Sequence, residues 1–132
     1  MSAAEIPPPL ERTLRVLPAL LYLTFTWFAS AESADEIPDL LVSDKVAHFG
    51  EYALLTLLVL FALTAFDAYH VTPARIALAG VVAIAWAALD EYHQSFVPTR
   101  DSSALDLVAD AGGAAAALAL VWVLAARERR PR

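Results

Sequence analysis

The chain contains no cysteine, which excludes disulfides and thiolate chemistry. It is short of basic residues: 9 Lys and Arg stand against 15 Asp and Glu, for a net charge of −6. A nucleic-acid partner needs a basic footprint, so that class is set aside. No internal repeat stands out, and no low-complexity segment beyond an alanine-rich run near the C-terminus. Neither Ser43 nor Ser95 sits in a nucleophile-elbow pattern, so nucleophilic serine chemistry is not expected. At 132 residues there is room for one core only.

What is present is apolar length. The apolar share of 59% exceeds the roughly 45–50% of ordinary domains, and the excess falls in long runs. Helices apolar all round are deeply buried or membrane-spanning, and so small a chain cannot bury four of them in water. The expected fold is therefore all-α, an integral membrane four-helix bundle. Residues 1–13, with Pro7-Pro8-Pro9, read as a polar N-terminal tail, residues 14–126 as the transmembrane domain and residues 127–132 as a basic C-terminal tail.

The first span is expected over Leu14–Ser30. Ala29-Ser30-Ala31 has the small-residue pattern of a cleavage site, so a signal peptide competes, but an uncleaved helix is favoured. Ala31 to Asp44 reads as an acidic loop with Glu32, Asp35, Glu36 and Asp39, broken by Pro38. The second span is expected from about Val46 to Phe66, and Pro73 suits the first turn of the third. Arg75 to Leu89 rises only about 22 Å at 1.5 Å per residue, short of a hydrocarbon core of about 30 Å. Asp90 to Gln94 are thus expected to be helical still, with Pro98 as the latest end. The fourth span, Ala104–Ala126, carries Gly112-Gly113, and small residues let helix backbones approach closely in lipid.

With four spans, one side receives Arg12, Arg15, Arg75, Arg127, Arg129, Arg130 and Arg132, the other only Lys45 and Arg100. The basic side faces the cytoplasm, so both termini are expected there, in a cell membrane. The terminal arginines also favour anionic lipid. The starts of the second and fourth spans and the end of the third then meet on the outer side. An ionisable residue at the centre of a membrane helix costs roughly 2.5–3.5 kcal/mol, and less near the interface. This end nevertheless carries Asp44, Lys45, His48, Glu51 and Tyr52, then Asp90, Glu91, His93 and Gln94, then Arg100, Asp101, Asp106 and Asp110. His48, Glu51 and Tyr52 share a helical face by spacing, as do Asp90, His93 and Gln94, and Asp106, Asp110 and Gly113.

Three blocks carry a resemblance. Asp44-Lys45-x-x-His48-x-x-Glu51-Tyr52, then Asp90-Glu91-x-x-Gln94-x-Phe96-x-Pro98-x-Arg100, then Asp106 and Gly113 resemble the VanZ-like family over roughly Asp44 to Gly113. These are small multi-pass bacterial membrane proteins, named for one associated with teicoplanin resistance. The resemblance implies an envelope-related role with no settled biochemical mechanism. It also implies an asparagine where this chain has Asp110, so a carboxyl group is added here.

Each group has a bland alternative. His48 and Glu51 make a proton-transfer or metal pair, or they satisfy each other or Arg100 between helices. Ser43 or Asp44 caps the second helix, and Ser103-x-x-Asp106 has capping-box spacing. Asp110 lies a turn deeper and needs a partner, Arg100 being one candidate. Glu91 and Gln94 have no such explanation. The tryptophans read as packing or interface anchors. No cofactor is required, although His48, Glu51, Asp90, Glu91, His93 and Asp106 are suitable donors for Mg, Mn or Zn, and Asp90-x-x-His93 has the spacing of a bundle metal pair.

Eleven carboxylates against two fixed cations on this side repel a phosphate or pyrophosphate unless a divalent ion bridges it, burial protonates several of them, or Lys45, His48 and Arg100 form a local positive patch, so a cationic, neutral or metal-bound ligand fits better. The leading expectation is a non-enzymatic envelope protein that binds a membrane lipid or cell-wall precursor through Asp44, Lys45, Glu51, Tyr52, Asp90, Gln94, Arg100, Asp106 and Asp110. The alternatives are an intramembrane enzyme acting on an outer-leaflet lipid-linked substrate, with Glu91 or His48 as general base, and an assembly helper for another membrane protein.

The topology has a direct test. A cytoplasm-dependent reporter fused after Arg132 should be active, and a fusion active only outside the cell overturns the orientation.

Overall fold

The computed structural model describes residues 9–32, 43–100 and 103–131. Four helices follow one another: α1 (Pro9–Ser30), α2 (Asp44–Thr64), α3 (Pro73–Gln94) and α4 (Ala104–Glu128), with one 3-10 turn, Ala68–His70, between α2 and α3. There is no strand among the described residues. The acidic stretch with Asp35, Glu36, Pro38 and Asp39, the first eight residues, Asp101 and Arg132 lie outside the described residues.

Local chemistry explains the boundaries. Proline in a first turn loses no hydrogen bond, because its N–H would have no partner there. Pro9 opens α1, so the helix takes in the end of the stretch expected as a tail. Pro73 opens α3 behind Thr72, whose side chain accepts from the Arg75 N–H. α2 ends where Ala65 and Phe66 adopt left-handed φ values of 51° and 57°. The Thr64 hydroxyl accepts from the Phe66 N–H there, and Asp67 caps the 3-10 turn by accepting from Tyr69. α3 runs through Asp90 to its end at Gln94, as the span-length estimate requires.

α2, α3 and α4 are each long and apolar enough to cross a membrane. α1 was expected as a fourth such span but is not among them. Its 22 residues match α3 in length, but Glu11, Arg12 and Arg15 occupy its first two turns, and Pro18 and several hydroxyl residues dilute the rest. The fold is a four-helix membrane bundle with three clear spanning helices.

Inside and outside are exchanged relative to a water-soluble bundle. Large apolar side chains such as Leu54, Val81, Val108, Leu120 and Leu124 are exposed, which lipid accommodates and water does not. The interior of α3 is the stripe Ala79, Ala83, Ala87, Asp90, Gln94, and that of α4 runs from Asp106 and Asp110 through Gly113, Ala114 and Ala117 to Val121 and Ala125. Each stripe is small over most of its length and polar at one end. α2 is the hub, touching all three other helices, and its most extensive partner is α4.

The α2–α4 contact is closest at Gly113. A Cβ built there would overlap the Phe49 carbonyl, whereas one on Gly112 would meet the Phe49 ring at an ordinary 3.5 Å. Gly113→Ala should therefore lower the thermal midpoint in detergent by the equivalent of about 1–3 kcal/mol, the usual cost of overpacking. Gly112→Ala should leave it nearly unchanged, and equal effects at the two positions would contradict the close approach.

Candidate functional site

Close approach at Gly113 brings the first two turns of α2 against the first two turns of α4. The Lys45 ammonium donates to Asp106, and to Asp44 at 3.1 Å. One turn deeper, His48 Nδ1 and Asp110 Oδ1 are 2.9 Å apart, and His48 Nε2 lies 3.9 Å from Asp44. Asp110 is 1% exposed, so its partner is His48 rather than Arg100, and Glu51 is not the group that satisfies His48. Arg100 is spoken for elsewhere: its guanidinium donates to the backbone carbonyls of Glu32 at 3.1 Å and Ala29 at 3.3 Å, closing the C-terminal end of α1.

α3 joins from the third side. The Gln94 amide donates to Asp90 Oδ2 at 3.1 Å. Glu91 Oε2 accepts from the backbone N–H of Ser103 at 3.0 Å, which ties the end of α3 to the start of α4. This corrects the capping box expected at Ser103 and Asp106. Ser103 does cap α4, its hydroxyl accepting from the Leu105 N–H, but the reciprocal carboxylate is Glu91 from α3. Asp106 is thereby left for Lys45. Ser43 occupies the N-cap position of α2 without a side-chain cap, so the capping proposed for it is carried only by its backbone carbonyl.

His93 does not share the buried face of Asp90 and Gln94. Positions three apart on a helix differ by about 60° around its axis, and here that rotation sends His93 to α1. Its ring stacks on Trp27 with centroids 3.9 Å apart, and its Nδ1 lies 3.1 Å from the Ser30 hydroxyl. Next to it the Trp86 indole N–H donates to the Thr26 hydroxyl at 3.1 Å. The expected Asp90–His93 metal pair is therefore replaced by other groupings. His48, Glu91 and Asp110 each offer a donor atom within 4.8 Å of the others, and so do Asp44, His48 and Asp106.

Three buried side-chain atoms have no hydrogen-bond partner among the described residues: the Tyr52 hydroxyl, Asp90 Oδ1 and Glu91 Oε1. Tyr52 is 1% and Asp90 3% exposed. Glu51 is half-buried, and its backbone carbonyl accepts from Tyr22 at 3.5 Å. Beside Glu91 an open groove of about 260 Å³ is lined by Glu91, Tyr92, Ser95, Ser103, Ala104 and Leu107. Glu91 thus belongs both to the groove wall and to the interior cluster.

The sequence-based site residues Asp44, Lys45, His48, Asp90, Glu91, Gln94, Asp106 and Asp110 come together, while Arg100 and His93 turn away to α1. Sequence reasoning missed the α1 contribution. Thr26 and Ser30 at i, i+4 on an otherwise apolar segment were the available signal for it.

Saturated and unsaturated members should respond differently to substitution. Asp110→Ala leaves His48 buried without its partner and should lower the midpoint by the equivalent of roughly 3–5 kcal/mol. Glu91→Gln relieves like-charge crowding and should leave it unchanged or raised. A large loss for Glu91→Gln would make the cluster a polar clasp between helices.

A family model described as VanZ/LLP1 matches residues 12–125. No curated protein and no solved structure matches the chain.

Proposed function

The chain belongs to the VanZ/LLP1 family, and on that premise we propose that it is a multi-pass protein of the bacterial cell membrane whose polar helix ends form a ligand pocket at the extracytoplasmic face. Both termini lie in the cytoplasm and α1 makes the fourth crossing, as the seven-to-two distribution of basic residues favours. The pocket binds a lipid head group or a cell-wall component and so changes how surface-acting agents such as glycopeptides reach their target.

One observation carries this reading. Buried polar atoms of Tyr52, Asp90 and Glu91 have no partner among the described residues, and Glu91 also lines an open groove. A buried polar group left unpaired costs about 1–3 kcal/mol, and a ligand entering past Glu91 would remove that cost. Lys45 already contacts both Asp44 and Asp106. Unless a divalent ion bridges the two, the excess of carboxylates therefore favours a ligand with a cationic or neutral head.

A second reading has its own support. The buried His48–Asp110 pair holds an imidazole in a fixed orientation, and Glu91 Oε1 has no partner. That is the arrangement a general base requires near a substrate, here a lipid-linked molecule of the outer leaflet.

The two readings separate in one experiment on protein reconstituted in nanodiscs and treated with chelator. Binding reads out a fluorescent muramyl pentapeptide containing lysine and, by competition, phosphatidylethanolamine against phosphatidylglycerol. Saturable binding that favours the amine-bearing probes and weakens at least tenfold in Asp90→Ala is expected. Preference for phosphatidylglycerol, or no saturable binding, overturns the pocket. Product formation that disappears in Glu91→Gln selects the enzymatic reading.

A further inference from the structure

The charge balance of the buried end leaves an unmet requirement. Glu51, Asp90, Glu91, Asp106 and Asp110 lie at this end, with Asp44 exposed at its rim, and Lys45 and His48 pair with carboxylates there. Arg100 donates to backbone carbonyls of α1 instead. Carboxylates in so apolar a bundle are stabilised by a compensating positive charge or by a proton.

The two donor groups are not equivalent. In the group of Asp44, His48 and Asp106, both carboxylates already contact the Lys45 ammonium, and Asp44 is exposed. A second cation there would meet the ammonium at close range. The group of His48, Glu91 and Asp110 has no fixed cation between its carboxylates. It also carries independent signs of a missing ligand. Asp90, 3% exposed, and Tyr52, 1% exposed, keep unpartnered oxygens, and Tyr52 stands within electrostatic reach of Asp90, Asp110 and Glu91. Glu91 Oε1 is unpartnered as well.

We infer that a divalent transition-metal ion binds between His48, Glu91 and Asp110. One imidazole nitrogen with carboxylate oxygens suits zinc or manganese better than magnesium or calcium, which favour all-oxygen surroundings. This site rests on the reading of the polar helix ends as a ligand pocket, and it widens the ligand class: a dication converts a region that repels phosphate into one that accepts a phosphate or pyrophosphate head group.

The test uses the full chain in detergent, stripped with chelator and then freed of it, with Mn²⁺ as the only added ligand. Electron paramagnetic resonance should show one Mn²⁺ taken up saturably per chain and displaced by Zn²⁺. Pulsed spectra of the wild type should show coupling to one imidazole nitrogen, a readout that needs no variant to fold. Glu91→Gln and Asp110→Asn should each weaken uptake at least tenfold with helicity retained, and Glu128→Gln, at the far end of α4, should not. Absence of saturable uptake, or uptake without nitrogen coupling, overturns the inference. So does loss of uptake in Asp44→Asn but not in Glu91→Gln, which would place the ion in the other group. Since no lipid or cell-wall probe is present, failure of head-group binding leaves this result standing, and failure here leaves that binding to be judged by itself.

Discussion

At Gly113 the backbone of α4 lies against the backbone of α2, and the polar end of the molecule depends on that approach. With a side chain between the helices, Lys45 would not reach Asp106 and His48 would not reach Asp110. The order of residues along α4 shows the dependence. Asp106 and Asp110 precede Gly113 by roughly two turns and one turn respectively, so the point of closest contact sits just below the two paired carboxylates and holds them in register with α2. In lipid, where apolar surface gives no preference for helix association, packing at small residues and hydrogen bonds between helices carry the assembly. Here the two devices are adjacent and reinforce each other.

Much of this was legible beforehand. The three spanning helices came from runs of apolar residues, the end of α3 from the length a bilayer demands, and the close contact from Gly113. The convergence of Asp44, Lys45, His48, Asp90, Glu91, Asp106 and Asp110 followed from topology, since helix ends on the same side of a membrane have nowhere else to meet. Pairing was harder to read. Spacing says which residues share a face, but not how that face is rotated toward its neighbours. His93 therefore went to the wrong partner set, and Arg100 was matched with Asp110 when it closes the end of α1. The link between Glu91 and the Ser103 amide joins a side chain to a backbone group twelve positions away, a contact that no residue pattern encodes.

The cluster combines two kinds of pairing. Lys45 with its carboxylates and His48 with Asp110 are paired within the protein and hold α2 to α4. Asp90, Glu91 and Tyr52 each use a different part of their hydrogen-bonding capacity, or none, within the protein. Completed contacts give the region its shape, and the incomplete ones make it chemically available. Both sets occupy the same few turns, so a substitution can separate the roles only where the residue belongs to one set.

α1 packs mainly on α2, and its polar links to the rest of the bundle lie near the polar end: the His93 ring on Trp27, hydroxyls at Thr26 and Ser30, and its last carbonyls held by Arg100. Arg100 lies on the segment between Ser95 and Ser103, and both of those residues line the groove. A tilt of α1 would carry the arginine with it, and the arginine would draw the two lips of the opening. The groove is lined by α3, α4 and the residues that cap them, so α1 stands to it as the jamb to a doorway, joined through Arg100 to the segment between its two lips.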